Sequence, residues 1–253
     1  MLPVSYFLDT IETIPEGKGF AYFGVLHFLW IAIGAIIIAL NCLWYRKMDA
    51  DARKRWRKTV ALIIIGDELF KMTMLTIGGR YNFTYLPLHL CSINIFLIAI
   101  HAWKPGDLLS GFLYTVCIPG ALSAILFPTW TSLPIGNFMH LHSFTIHILL
   151  VMYPVVMVAS GEWKPHIKKM HKYFLLLVAL AIPVCFINLA LDTNFMFLMY
   201  ADPGNPLYAF ETLLGSHLWG FPVIITGVLI VMYVPVELYR YFSNRKIRKQ
   251  NDK

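Results

Sequence analysis

Seven long apolar stretches dominate this sequence and restrict the folds open to it. A helix needs about 20 mainly apolar residues to cross the hydrocarbon core of a bilayer. The stretches run from Phe20 to Trp44, Thr59 to Ile77, Leu86 to Trp103, Leu108 to Phe127, His142 to Ser160, Tyr173 to Leu191 and Leu218 to Tyr239. A hydrophobic fraction of 58% agrees with a membrane protein. We therefore predict an all-α, multi-pass membrane protein in which residues 1–253 form a single domain of seven transmembrane helices.

The basic residues predict the orientation of these helices. They concentrate in the first, third and fifth loops and in the tail: Arg46, Lys47, Arg53, Lys54, Arg55, Arg57, Lys58, Lys104, Lys164, Lys168, Lys169, Lys172, Arg240, Arg245, Lys246, Arg248, Lys249 and Lys253. The opposite side carries only Lys18 and Arg80. By the positive-inside rule, the N-terminus lies outside the cell membrane, and the C-terminus, with a basic tail from about residue 240, is cytoplasmic. The net charge of +7 then reflects topology and anionic lipid heads, not binding to nucleic acid.

Charged residues inside the second stretch mark a possible internal site. Asp67, Glu68 and Lys71 lie in its middle. An ionisable group at the centre of a bilayer costs about 2.5–3.5 kcal/mol on insertion scales, so it tends to be paired and to face the protein interior. Helical spacing places Lys71 one turn from both acids, which favours an internal ion pair. A pathway for protons or ions and a direct catalytic role are the alternative interpretations.

Three histidines lie near the start of the fifth stretch, in the segment MHLHSFTIH. A spacing of seven places His140 and His147 on one helical face with Ser143 between them, whereas His142 points elsewhere. One helix presents metal ligands at i and i+4, so this run alone does not form a three-histidine zinc site. Packing and a role as catalytic base both remain open for these histidines.

The segment LPLHLCSIN, from Leu86 to Asn94, brings a cysteine into the start of the third stretch. Pro87 suits the first helical position, where its missing N–H costs nothing. Cys91 then lies about 6 Å inside the helix, close to the level of phospholipid ester carbonyls, and His147 lies roughly 8–9 Å below the same face. A nucleophile and a base would therefore share a level. Cys91 as a small buried hydrophobe is the alternative.

The start of this third helix offers further groups. The N–H groups of Leu88, His89 and Leu90 would be free to face an oxyanion. His89 is a poor partner for Cys91, because a spacing of two sends the side chains to opposite faces, and Asn94 is nearer. The long outer segment from Asp192 to Glu211 is too apolar for a plain connection and suggests a cap over a pocket.

Three segments resemble the YwaF family of bacterial seven-helix membrane proteins: LPLHLCSINIFL, FTIHILLVMYP and TNFMFL. The resemblance extends roughly from Val60 to Tyr239. The family's animal relatives include the transmembrane protein 164 acyltransferase, which uses a membrane cysteine and a histidine two helices later. The resemblance implies Cys91 as nucleophile and His147 as base, with His142 as the second choice. Asn194 matches a family motif position of unknown role.

These observations lead to a working hypothesis of lipid acyl transfer through a thioester on Cys91. A phospholipid would donate the acyl chain and a lysophospholipid would accept it, with no cofactor and no metal. One alternative is a zinc-dependent membrane lipid hydrolase, because Ser143 and His147 show SxxxH spacing and Asp67 is available. The other is a non-enzymatic transporter or channel that uses Asp67, Glu68 and Lys71.

Overall fold

A computed structural model describes residues 6–201 and 205–251, with side chains described through residue 242. Within these residues all the regular structure is helical, which confirms the all-α prediction. The longer helices are α1 (Val25–Arg46), α2 (Ala50–Ile77), α3 (Leu90–Trp103), α4 (Asp107–Leu126), α5 (Phe138–Ala159), α6 (Met170–Leu191), α7 (Pro206–Leu214) and α8 (Gly220–Asn251).

A helix lies at each of the seven predicted positions, and α7 is an additional short helix in the connection between α6 and α8. Among the residues that the structure describes, five helices are long and apolar enough to cross a membrane: α1, α4, α5, α6 and α8, the three-residue turns before α6 and α8 being counted with them. The protein is therefore a multi-pass membrane protein. The helix α3 is apolar but has only 14 residues, and α2 carries the charged residues of the second stretch. Seven crossings and the orientation of the termini remain predictions.

The helix α5 lies at the centre of the bundle and packs against α1, α2 and α4. Its start is determined by Asn137, whose side chain accepts hydrogen bonds from the main-chain N–H groups of Met139 and His140. Such a cap satisfies donors that have no partner within the helix. Most of α5 is buried, whereas α6 and α8 are largely exposed on the outside of the bundle. His140, His142 and Ser143 on α5 are consequently buried in the protein interior.

The helix α4 contains a π-helical turn over Leu113–Cys117, immediately before Pro119. Proline has no N–H to donate to the preceding turn, and the wider π turn changes the hydrogen-bond register at that point. Cys117 is fully buried there, and its Sγ lies 3.5 Å from the carbonyl oxygen of Leu150 on α5. The irregular turn thus directs Cys117 towards the centre of the bundle.

Contacts between distant segments define two opposite ends of the bundle. At one end the side-chain nitrogen of Asn137 donates to the carbonyls of Tyr6 and Asp9 at 2.7 and 2.8 Å. Arg80 pairs with Asp9 there at 3.4 Å. At the other end Arg57 of α2 pairs with Glu162, which follows α5. The connection between α2 and α3 therefore lies at the opposite end from the turn between α1 and α2.

Candidate active site

The helix α3 begins at Leu90, later than predicted. His89 is its N-cap, with extended backbone angles of φ −63° and ψ 151°, and the N–H of Ile93 donates to the His89 carbonyl at 2.9 Å. The prediction that Pro87 occupies the first helical position is wrong. The N–H of Leu88 instead donates to the carbonyl of Leu86 at 2.8 Å, which turns the chain tightly before the helix.

The late start changes which main-chain amides are free. Leu88 was expected to contribute one, but its N–H is already bonded. In the described part of the chain no acceptor contacts the N–H groups of Leu90, Cys91 and Ser92. The first N–H groups of a helix lack intrahelical partners and concentrate positive potential. The unpaired donors are therefore the N–H of Cys91 and those of its two neighbours in the chain.

Cys91 lies among side chains of the central core and is surrounded by protein. Part of its side chain nevertheless stays accessible, and it is a free thiol like Cys42, Cys117 and Cys185. The Cys117 thiol, which contacts the Leu150 carbonyl of α5, belongs to the same core cluster as Cys91.

His147 has a defined tautomer. Its Nδ1 lies 2.5 Å from the carbonyl oxygen of Ser143. A carbonyl only accepts hydrogen bonds, so Nδ1 carries the proton and Nε2 keeps a basic lone pair. The indole of Trp130 stacks on the imidazole with ring centroids 5.3 Å apart. His147 is thus oriented on two sides, and Ser143 contributes its main-chain carbonyl, not its hydroxyl.

The charged residues of α2 pair in part as predicted. Lys71 Nζ lies 2.5 Å from Glu68 Oε1, and both side chains are buried. Asp67 does not share this lysine. Its Oδ2 lies 2.9 Å from Nδ1 of His142 on α5, and His142 Nε2 lies 3.8 Å from Glu68 Oε2. The Asp67 and His142 atoms are close but not aligned for a hydrogen bond, so their attraction is mainly electrostatic.

Several of the predicted site residues meet between α2, α3 and α5. The helix α2 packs against both α3 and α5, which brings Lys71, His89 and His142 to the same part of the bundle as His147, and no described contact joins His147 to Cys91. Asn94, one turn beyond Cys91, is buried, and no described group bonds its Oδ1. Buried polar atoms of this kind normally find a partner. The polar groups therefore form one buried region around the start of α3.

His140 does not belong to this polar region. Its Nε2 accepts from the indole N–H of Trp30 at 2.9 Å, and its Nδ1 lies 3.0 Å from the Leu133 carbonyl. The ring also packs against Phe20 and Phe144. Both nitrogens have partners within the protein, so His140 ties α5 to α1 and to the preceding loop.

The connection after α6 covers the start of α3. The side chain of Asn188 accepts from the N–H of Phe195 at 2.8 Å and from the Thr193 hydroxyl at 3.0 Å, and donates to the Phe195 carbonyl at 3.0 Å. Met196 and Phe197 have positive φ angles of 59° and 54°. Such angles cost non-glycine residues roughly 1–3 kcal/mol each, so surrounding contacts must maintain them. We call residues 193–198 the cap segment.

Asn194 stabilises this cap segment. Its side-chain nitrogen donates to the Tyr200 carbonyl at 3.0 Å, and its side-chain oxygen accepts from the Met199 N–H at 3.1 Å. It therefore bonds the next part of the outer connection and not the polar region. Residues 195 and 196 of the predicted cap contact the start of α3, residues 202–204 lie outside the described range, and the pocket beneath the cap stays a prediction.

Sequence reasoning missed two residues of the site. Asn188 organises the cap segment, and Trp130 stacks on His147. The only sequence signal for Asn188 was a polar residue near the end of an otherwise apolar stretch. Trp130 lies in a loop, and no spacing connects it to α5.

The zinc hypothesis receives no support from this arrangement. Among the described residues no group of three or more His, Cys, Asp or Glu side chains is placed to hold a metal ion. Ser143 and His147 contact each other through a main-chain carbonyl, and Asp67 faces His142.

The fold and the buried polar region together define a multi-pass helical membrane protein with polar and thiol groups inside its bundle. The model of the TMEM164 family matches residues 22–236, which is most of the chain. The protein therefore belongs to the TMEM164 family. No curated protein and no solved structure is a significant match.

Proposed function

We propose that this protein is a membrane-embedded lipid acyltransferase in which Cys91 carries the acyl group and His147 is the general base. The start of α3 carries this proposal, because Cys91 lies there among three main-chain N–H groups that no described acceptor contacts. The tautomer of His147 supports it, since Nε2 is the basic nitrogen. The resemblance of LPLHLCSINIFL to the YwaF family, whose animal relatives include an acyltransferase, agrees with both.

The first half-reaction forms a thioester. His147 Nε2 accepts the proton of the Cys91 thiol as Sγ attacks the carbonyl carbon of a phospholipid ester. A C–S bond forms, and the carbonyl oxygen becomes an oxyanion that accepts from the N–H groups of Leu90, Cys91 and Ser92. The ester C–O bond then breaks, and the departing lysophospholipid oxygen takes the proton from His147.

The second half-reaction transfers the acyl group. The hydroxyl of a lysophospholipid acceptor attacks the thioester carbonyl and gives its proton to His147. The C–S bond breaks, a new ester is formed, and Sγ of Cys91 recovers the proton. One bond is exchanged for another in each step, so the reaction needs no cofactor.

The test is a search for the acyl-enzyme. Purified protein would be incubated with phospholipid vesicles and examined by intact-protein mass spectrometry. We expect a hydroxylamine-labile adduct with the mass of an acyl chain on the wild type. Cys91→Ala should abolish it, and His147→Ala should slow its formation about 10³-fold or more.

Cys42→Ala is the matched control, because it removes another partly accessible thiol that packs against the same core. This variant should acylate like the wild type. An adduct that persists in Cys91→Ala would contradict the proposal. The double variant at Cys91 and His147 should be little worse than Cys91→Ala, since residues that act as a unit are strongly non-additive.

A further inference from the structure

His89 is held between the cap segment and the start of α3. The main-chain N–H of Met196 donates to His89 Nδ1 at 3.4 Å. The ring packs edge-on against Phe195, with centroids 5.2 Å apart, and against Phe197 at 5.9 Å. Three consecutive residues of the cap segment therefore determine the position of one imidazole.

The contact with Met196 also determines where the His89 proton lies. An N–H donor needs an acceptor, so Nδ1 of the neutral ring carries the lone pair and Nε2 carries the hydrogen. The two ring nitrogens lie on different edges, and Nε2 is thus directed away from Met196. No described acceptor bonds this Nε2–H. His89 lies two residues before Cys91 but outside the helix, with extended backbone angles, so the helical spacing that predicted opposite faces for the two side chains does not apply.

His89 and His147 consequently have opposite tautomers. His147 donates through Nδ1 and keeps a basic Nε2, whereas His89 accepts through Nδ1 and presents Nε2–H. A base and a hydrogen-bond donor are the two side-chain functions that acyl transfer needs in addition to the nucleophile.

We propose that His89 is a catalytic residue that donates a hydrogen bond from Nε2–H to the oxyanion, and that the Asn188-braced cap segment positions it. This inference rests on the acyl transfer proposed above and adds a side-chain donor to the main-chain amides of α3. His89 keeps its proton throughout, because it stabilises negative charge and the proton transfers belong to His147.

Two substitutions separate the functions of the two ring nitrogens. In His89→Gln the terminal amide places an N–H near the position of Nε2 and loses the acceptor for Met196. In His89→Asn the shorter side chain places its polar end near Nδ1, so it retains an acceptor there and loses the distant donor. The two variants are matched in polarity and differ in the nitrogen that they replace.

The measurement is the rate of acyl-enzyme formation in a single turnover. The probes are vesicles of phosphatidylcholine and of phosphatidylethanolamine labelled in the acyl chain. We expect His89→Asn to lose about 10²–10³-fold in rate, as expected for an oxyanion donor, and His89→Gln to stay within about tenfold of the wild type. If His89→Asn acylates as fast as His89→Gln or faster, the proposal is overturned, and His89 only holds the cap segment.

Asn188→Ala provides a second, independent route if a substitution at His89 disturbs folding. It releases the cap segment without changing His89, and we expect slower acylation. Combined with His89→Asn it should slow the reaction no further, because the donor that it positions is already absent. Additive losses would overturn the proposal.

The same data distinguish failure of this inference from failure of the acyl-transfer proposal. No adduct on the wild type with either lipid would overturn both. A Cys91 adduct that forms equally fast in the wild type and in His89→Asn would overturn only the role of His89.

Discussion

At the residue scale, charged side chains inside this bundle pair both within α2 and between α2 and α5. Lys71 and Glu68 form an ion pair on α2, and His142 reaches from α5 to Asp67. Charged groups in the apolar part of a membrane protein are costly unless they are compensated. The pairs therefore hold α2 against α5 next to His147 and do not present a row of free charges.

A single substitution measures the strength of this compensation. Lys71→Met should destabilise the protein by about 3–5 kcal/mol, because it leaves Glu68 as a buried carboxylate without its partner. The measurement is thermal unfolding in detergent. Combining Lys71→Met with Glu68→Gln should recover part of the loss.

Arg80→Met is the matched control for that experiment. It replaces the Arg80 cation by the same neutral residue, in an ion pair with Asp9 whose two side chains are 42% and 25% exposed. Exposed pairs contribute about 0–1 kcal/mol, so the expected change is small. Wild-type stability of Lys71→Met would show that the cluster is hydrated, and that outcome would favour the transport hypothesis.

At the element scale, hydrogen bonds and an ion pair among Tyr45, Arg57 and Glu162 connect α1, α2 and the turn after α5. Arg57 of α2 contacts Glu162 in the turn after α5, and Tyr45 of α1 donates to the same carboxylate. Arg57 also donates to the Tyr45 hydroxyl at 3.1 Å. Because Arg57 and Tyr45 are buried, Glu162 is the acceptor on which both depend.

Glu162→Ala should therefore destabilise the protein by about 1.5–3 kcal/mol, the usual range for losing a hydrogen bond to a charged partner. Thermal unfolding in detergent measures the change. Glu237→Ala is a matched control, because Glu237 pairs with Arg240 on a partly exposed surface of α8, and we expect no more than about 1 kcal/mol. Equal losses of stability in the two variants would contradict the conclusion that Arg57 and Tyr45 depend on Glu162.

At the scale of the whole molecule, the residues that meet at each end of the bundle indicate how many helices cross the membrane. The segments near Asp9, Arg80 and Asn137 meet at one end, and Arg57 and Glu162 meet at the other. The helices α2 and α3 therefore run between the two ends, although neither is among the five long apolar helices. This course supports seven crossings.

The connection between α2 and α3 decides between seven crossings and five. With seven, residues 78–89 lie on the outer face; with five, they lie on the same face as the turn between α1 and α2. We expect Asn82→Cys to react with a membrane-impermeant maleimide on intact cells and Lys104→Cys to be protected. Labelling of the wild-type protein gives the background from the four native cysteines. Protection of Asn82→Cys together with labelling after permeabilisation would contradict the seven-helix topology.

The sequence by itself determined where the helices lie and which local pairs form. Each apolar stretch became a helix, because an apolar segment of that length has no other way to satisfy its backbone in lipid. The Lys71 and Glu68 pair also followed from the sequence, since helical spacing brings residues three apart onto one face. The location of Cys91 near the start of α3 was equally readable, although the helix begins at Leu90 and not at Pro87. The catalytic roles of Cys91 and His147 remain predictions.

Only the tertiary structure decided the partners that come from distant parts of the chain. The contact of His142 with Asp67, that of Met196 with His89 and that of Glu162 with Arg57 each join separate helices or loops. Periodicity reports relations within about one helical turn, whereas contacts between helices depend on how each helix is rotated and where it crosses its neighbour. Periodicity also could not predict the tautomers of His89 and His147, because hydrogen-bond partners in the folded chain determine them.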